Sequence, residues 1–437
     1  MQKTKLKGLA ALFLVANSIS WFILTFIVIG NLAESYPLSK ILSVVGSYFL
    51  ALVGSAIIGG TLLYKKLRMK IFLLTWVLVG VVTCLFYAFT LTSSLSSEIA
   101  ASVALGASVG IGIPTCFSFF ADQTRTEGRG KTGAATYFSI QLISVIIIFL
   151  TLRAGAEGTF LVLAVWRLLG IAGILFYQPL KTPLEERETS SLSIIKERIF
   201  ILYFVSWLLF ALVNSIEAPV VQGFLGGSYN SYLIAATLIS CFSALISGVF
   251  CDLKGRKVVG ILGFVVLGLG YAFLSFLSGG ATKEIGQILY TICDGTAWGI
   301  LYTIFVFVIW GDQSEGRIRE KYYLWGSMPF LISSFISILV YPFASNIPVS
   351  TSFPLASFFL FIAVLPLIYA PETLSEKSIK DRDLKSYAEK ALKQASKQSK
   401  KTKDEDADDA NEENKESAEV GQPPGYDEAR KLAEKYY

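Results

Sequence analysis

The property that most limits what this chain can fold into is the recurrence of apolar runs of bilayer length. The hydrocarbon core of a membrane is about 30 Å thick, and about 20 helical residues cross it with every backbone N–H and C=O satisfied inside the segment. Runs of this kind lie at 7–31, 39–63, 70–92, 98–120, 132–152 and 159–178, and after a break at 199–222, 231–251, 258–278, 285–310, 322–344 and 352–370. Hydrophobic residues fill 53% of the 437 positions and charged residues only 16%, which leaves too little polar surface for a solvated globular domain. The expected fold is an all-α polytopic membrane protein of twelve transmembrane helices, with the lipid bilayer as its solvent and the plasma membrane as its location.

Charge in the connecting segments sets an expected orientation. The segments 3–7, 65–70, 125–131, 181–198, 254–257 and 317–321 carry twenty Lys and Arg, whereas the alternate loops carry only Lys40, Arg153 and Lys283. Basic residues in short loops collect on the cytoplasmic side, so both termini are expected there. The start, MQKTKLK followed by LAALFLV, has the form of a signal peptide, but the apolar run continues to about Gly30 without a small-residue cleavage site and reads as helix 1.

Several chemistries are excluded by what the chain lacks. It has no histidine, so neither a Ser-His-Asp triad nor a histidine proton relay can form. The five cysteines, Cys84, Cys116, Cys241, Cys251 and Cys293, fall in or beside apolar spans without a CxxC pair and read as packing residues. No clustered nucleophile and base and no metal-ligand set is visible. A non-enzymatic protein is expected, with no cofactor, no metal and no nucleic-acid partner. After Ala370 the composition changes: 381–395 has apolar residues at helical spacing among lysines, as in a helix lying on anionic lipid, and DEDADDANEENKE is too polar to fold.

The chain also repeats itself. ADQTRTEGRGK at 121–131 is echoed by GDQSEGRIREK at 311–321, and a shift of 188 lays GTLLYKKLRMK at 60–70 over GVFCDLKGRKV at 248–258. The first pair follows the fourth span of each half and the second pair follows the second span, the pattern of parallel repeats related by an axis along the membrane normal. The expected organisation is a six-helix bundle at 1–180, a cytoplasmic linker at 181–198, a second six-helix bundle at 199–370 and a tail at 371–437.

GVFCDLKGRK and EGRGK resemble the loops that follow helices 8 and 4 in the major facilitator superfamily of secondary transporters. Pro371-Glu372-Thr373-Leu374 is similar to a motif of its sugar porters, although the matching signature after helix 6 is absent. The resemblance implies two pseudo-symmetric bundles and a central cavity lined by helices 1, 4, 7 and 10, with 2, 5, 8 and 11 beside them. It also implies an Asp after helix 2 that caps a helix in the opposite half; here that position is Tyr64, and the family's Gly-Arg has become Leu67 and Arg68, so an asymmetric gate is expected.

The loop residues suit a cytoplasmic gate made of Arg68, Asp122, Glu127, Arg129, Asp252, Arg256, Asp312, Glu315 and Arg317. Asp252 near a helix start gains roughly 0.3–1 kcal/mol from the dipole. Arg256 is expected to pair with Asp312 or Glu315, and Arg68 with Asp122 or Glu127. Individually such pairs are weak; a set that breaks together can bias a two-state equilibrium. The same residues also read as a positive-inside anchor with incidental acids.

Inside the spans a charge costs roughly 2.5–3.5 kcal/mol on insertion scales, so it faces a cavity or a partner. Three occur, Arg167, Glu217 and Asp294, with polar or aromatic neighbours three or four residues along: Asn17 and Trp21, Tyr137 and Gln141, Asn214 and Glu217, and Tyr290, Asp294 and Trp298. The expected substrate-binding set is Asn17, Trp21, Gln141, Asn214, Glu217, Tyr290, Asp294 and Trp298. Arg167 lies on a helix that the resemblance makes peripheral and reads equally as a structural partner. Glycines and prolines are expected to loosen helix 4 (Gly106, Gly110, Gly112, Pro114) and helix 10 (Gly295, Gly299), and to interrupt helices 7 and 11 (Pro219, Pro329). Without histidine, Glu217 and Asp294 are the proton carriers. The expected function is a monomeric, proton-coupled transporter of a small polar organic solute, either a neutral hydroxylated molecule or an organic cation. The alternative is a receptor or scaffold that reuses the fold and signals through its tail.

Overall fold

The computed structural model describes residues 2–33, 36–63, 69–90, 94–175, 191–314, 318–344 and 346–374. Every regular element among them is helical. The expected surface helix and polar block of the tail fall outside the described residues, as do Tyr64, Leu67, Arg68, Glu315 and Arg317. Eleven continuous helical runs are long and apolar enough to cross a membrane, and one of them, Arg198–Lys254, has 57 residues. As one helix it would be roughly 85 Å long, far beyond a bilayer. A short 3-10 turn at Gly226–Ser228 divides it, with Gly226 at φ +50, a backbone conformation that favours glycine.

We number the helices α1 Gln2–Ala33, α2 Leu38–Thr61, α3 Met69–Thr90, α4 Leu95–Gln123, α5 Thr126–Thr151, α6 Gly155–Leu175, α7 Arg198–Leu225, α8 Tyr229–Lys254, α9 Arg256–Phe276, α10 Gly280–Asp312, α11 Arg319–Ala344 and α12 Val349–Tyr369. Leu50, Phe89, Phe149 and Phe276 are each more than 70% exposed, a surface that only hydrocarbon would solvate well.

The packing repeats with a step of six helices. α2 packs on α4, α3 on α6 and α1 on α5; α8 packs on α10, α9 on α12 and α7 on α11. The contacts α5 with α8 and α11 with α2 exchange under the same step. The repeat extends to individual atoms. A Cβ on Gly106 or Gly110 of α4 would collide with the backbone oxygen of Tyr48 or Leu52 of α2. One repeat later, a Cβ on Gly295 or Gly299 of α10 would collide with the oxygens of Ala236 and Ser240 of α8. These four glycines let two helix pairs approach backbone to backbone, the small-xxx-small arrangement of membrane helices.

That role corrects part of the expected flexibility. Gly295 and Gly299 sit in regular α-helix, and the irregular stretch of α10 is a π-helical segment at Thr303–Val308. α4 does break, between Gly110 and Ile113, with Pro114 in the first turn of the new segment. Pro219 and Pro329 lie inside unbroken helices, because a proline removes a single backbone bond and neighbouring helices hold the rest in place.

Gly110→Val and Gly299→Val should each destabilise the protein by about 1–3 kcal/mol through overpacking. Gly54→Ala, whose Cβ meets nothing within 4 Å, should be neutral or stabilising. Thermal unfolding in detergent measures both, and a Gly54-like response at Gly110 and Gly299 would refute the close-approach role.

Candidate functional site

The end of the bundle that carries the basic loops is shut by a buried charge cluster. α8 ends at Lys254 and α9 starts at Arg256, with the single residue between them, Gly255, at φ +104. This tight turn places Asp252 and Arg256 side by side. Asp252 accepts from the backbone N–H groups of Gly130 (2.8 Å) and Lys131 (2.9 Å) in the first turn of α5, so a carboxylate from one half caps a helix of the other. Arg256 pairs with Asp252 (3.1 Å) and donates from Nε to Asp312 (2.9 Å), while Asp312 also holds Arg129 of α5.

All four side chains of this cluster are 0–2% exposed. Two cations and two anions cancel, and the remaining guanidinium donors reach the backbone oxygens of Cys251, Thr126, Ala121 and Thr124 and the Thr124 hydroxyl. A buried ion group is tolerable only when charge and hydrogen bonds are both satisfied in this way. A second clasp, Asp122 of α4 with Arg319 of α11, is partly exposed. Counted from the two Asp-Gln pairs, Arg129 and Arg319 occupy the same repeat position, so each half offers its Asp to the other half's Arg. Aligning on Glu-Gly-Arg instead had pointed to Arg317; the count from Asp-Gln is the signal that finds Arg319. Glu127 is exposed in the 3-10 turn Thr126–Gly128 that opens α5.

Glu372, which sequence reasoning read only as part of a motif, caps α9 through the N–H groups of Arg256 (2.8 Å) and Lys257 (3.1 Å). Toward the opposite end, Glu98 pairs with Lys40 (2.9 Å) and accepts from Tyr36. Burial pushes the Tyr36 hydroxyl above its ordinary value, and the adjacent Glu98 carboxylate raises it further.

Beyond the charge cluster, toward the Gly226 end, lies a cavity of about 240 Å³ lined by α5, α7, α8, α9 and α10. Gln141, Asn214, Tyr290, Asp294 and Trp298 of the expected set line it, with Tyr137, Tyr229, Tyr232 and Tyr271. Asp294 accepts from the Tyr232 hydroxyl (2.7 Å) and the Trp298 indole N–H (3.1 Å). Tyr271 donates to Asn214 (3.4 Å), and Gln141 donates to Tyr137 (3.1 Å), whose hydroxyl reaches Ser240 (3.2 Å). Tyr232 and Tyr271 were legible only as aromatic residues inside spans; their part here follows from how α8 and α9 pack on α10.

Asn17, Trp21 and Glu217 do not line this cavity. Asn17 donates to the backbone oxygen of Trp166 (2.6 Å) and accepts from Arg167 (3.2 Å). The Arg167 guanidinium lies over the rings of Trp21 and Trp76, its Cζ 4.5 and 4.1 Å from their centroids. Asn17 and Trp21 thus seat a fully buried arginine between α1, α3 and α6 through neutral acceptors and cation–π contact. Glu217 is buried on α7, and its Oε2 has no hydrogen-bond partner.

A sequence model of the Major Facilitator Superfamily matches residues 9–309. No curated protein matches the chain in sequence. Among solved structures, the chain is similar in fold to the proton:xylose symporter XylE bound to 6-bromo-6-deoxy-D-glucose, with a TM-score of 0.60 and 14% identity over 85% of this chain and 96% of that one. It is also similar to the human organic anion transporter MFSD10, with a TM-score of 0.59 and 12% identity over 83% and 98%.

Asp312→Asn leaves two buried arginines facing one carboxylate, a loss of about 3–5 kcal/mol. With Cys251, which is 0% exposed beside the cluster, as the sole cysteine, labelling by a hydrophilic maleimide should rise at least about tenfold in this variant. Arg319→Ala breaks a more exposed pair and should raise labelling less. Unchanged labelling in Asp312→Asn would remove the cluster from the gate.

Proposed function

The chain belongs to the major facilitator superfamily, and on that premise we propose that it is a secondary active transporter carrying a small polar organic solute by alternating access, coupled to protons. The observation that carries this reading is the cavity around Asp294, together with the neutral charge cluster that joins α5 to α8, α9 and α10 further along the same helices. A membrane transporter needs a polar site within its spans and a barrier on one side of it that can be dismantled. The surplus of Lys and Arg in alternate loops supports a cytoplasmic side for the cluster end and for both termini; the plasma membrane is the location proposed.

In this scheme residues 1–180 and 199–370 are the two bundles that rock, joined by 181–198, and the transporter works as a monomer. The packing that repeats every six helices supports that division. Asp294 is the solute-facing proton carrier; Glu217, buried with an unsatisfied oxygen, is the second. When the cluster of Asp252, Arg256, Arg129 and Asp312 separates, its groups gain water, so opening does not require four bare ions to face hydrocarbon. Residues Met1–Thr373 form a compact unit of their own, which favours a transport core that does not need the tail.

The test is solute-driven pH change inside proteoliposomes loaded with a pH dye, run over amines, sugars and amino acids. The wild type should give a transient with its solute, a chain ending at Thr373 should retain it, and Asp294→Asn and Glu217→Gln should lose it. Full transients in both carboxylate variants would sink the proton role, and no flux of any solute would sink transport itself.

A further inference from the structure

We infer that the Asp294 cavity selects an organic monocation, a molecule with an ammonium group on an apolar or aromatic body. The inference rests on the transport reading only in treating that molecule as cargo; its binding stands on the geometry alone.

Charge comes first. Among the described residues lining the cavity Asp294 is the only acid, and none is Lys or Arg. Both hydrogen bonds that Asp294 accepts come from neutral donors, Tyr232 and Trp298. A carboxylate offers about four lone-pair sites, so two donors leave room for a third partner and leave the charge itself unanswered. This contrasts with the gate, where every carboxylate of the cluster has a guanidinium beside it. A charge buried without a counter-ion is costly, and here either a proton or a cationic ligand relieves it.

Hydrogen-bond polarity points the same way. Tyr232 spends its hydrogen on Asp294, Tyr271 on Asn214 and Tyr137 on Ser240, while the Gln141 amide donates to Tyr137. The tyrosine oxygens keep lone pairs that suit a ligand with N–H donors, and the Asn214 and Gln141 amides keep N–H groups for an acceptor on its body.

The walls supply the remainder. Tyr232 stacks on Tyr290 (5.6 Å between centroids, 18° between planes), Tyr290 on Tyr271 (5.8 Å, 30°), and Tyr229 lies against Tyr232 (5.8 Å). These rings lie largely face to face, so what they offer is an apolar aromatic wall that suits the organic body of the ligand. A carboxylate ligand would meet Asp294 with no cation to offset the repulsion. A neutral polyol would leave Asp294 to a proton and make no use of its charge. An organic cation uses the acid, the acceptors and the apolar wall together.

Three probes of one skeleton test this on the purified full-length protein by calorimetric titration: 2-phenylethylammonium, 2-phenylethanol and phenylacetate. The ammonium should bind at least about tenfold tighter than the alcohol, and phenylacetate should not bind. Asp294→Asn should bring amine and alcohol to equal affinity, Asp294→Glu should keep their order, and the ligand-free melting temperature of each variant reports its fold. The inference is overturned if the alcohol or the carboxylate binds as tightly as the amine, if none of the three binds, or if Asp294→Asn keeps the preference. Amine binding without flux into proteoliposomes would remove the transport reading and leave the cation site standing; flux of a neutral or anionic solute with no amine binding would do the reverse.

Discussion

In hydrocarbon an unpaired backbone amide or carbonyl has no water to turn to, and the cost of several kcal/mol per group forces every crossing segment to satisfy itself as a helix. The same solvent removes the usual reason for helices to associate, since lipid tails are as apolar as leucine. Close packing and internally neutral polar clusters are then what hold helices together. Both are present here. Gly106 and Gly110 bring α4 onto α2, and Gly295 and Gly299 bring α10 onto α8. The four-charge cluster ties α5 to α8, α9 and α10.

The three buried cationic or acidic settings differ in how their charge is answered, and the difference sorts them by role. At the gate the answer is internal, ion against ion, with the remaining donors on backbone oxygens. Arg167 meets two tryptophan rings and the neutral acceptors Asn17 and Ser18, with no ion pair among the described residues and with its Nε and Nη2 left without hydrogen-bond partners. Asp294 is answered by two neutral donors and opens on a cavity. An ion matched by opposite charge from within suits a barrier, whereas one left partly answered beside open space suits a ligand.

The charge cluster is asymmetric even though its sequence repeats. Asp122 with Arg319 and Asp312 with Arg129 are related by the repeat, yet the second pair is buried and shares its carboxylate with Arg256, while the first is more exposed. Asp252 caps α5, whereas its counterpart after α2 is Tyr64, which cannot act as a carboxylate cap. The seam of α5 and α8 therefore carries more charge-assisted bonding than the described part of the seam of α2 and α11.

Much of the fold was legible in the sequence because bilayer thickness fixes the length of an apolar run and gene duplication leaves matched loops; twelve runs, their order and their repeat need no coordinates. Gln141, Asn214, Tyr290, Asp294 and Trp298 were also legible, since polar residues on one helix face inside a span are rare and costly. Three things were not. The glycines of α4 and α10 read as flexibility until the facing carbonyls of α2 and α8 came into view. Asn17 and Trp21 read equally as solute contacts or as helix-to-helix packing, and only their contacts with Arg167 favour the second. Glu372 and Arg319 read as loop charges until the helix start and the carboxylate they reach were known. Periodicity tells which residues share a face of one helix. Which partner meets that face depends on the rotation and depth of a different helix, and only the tertiary structure decides that.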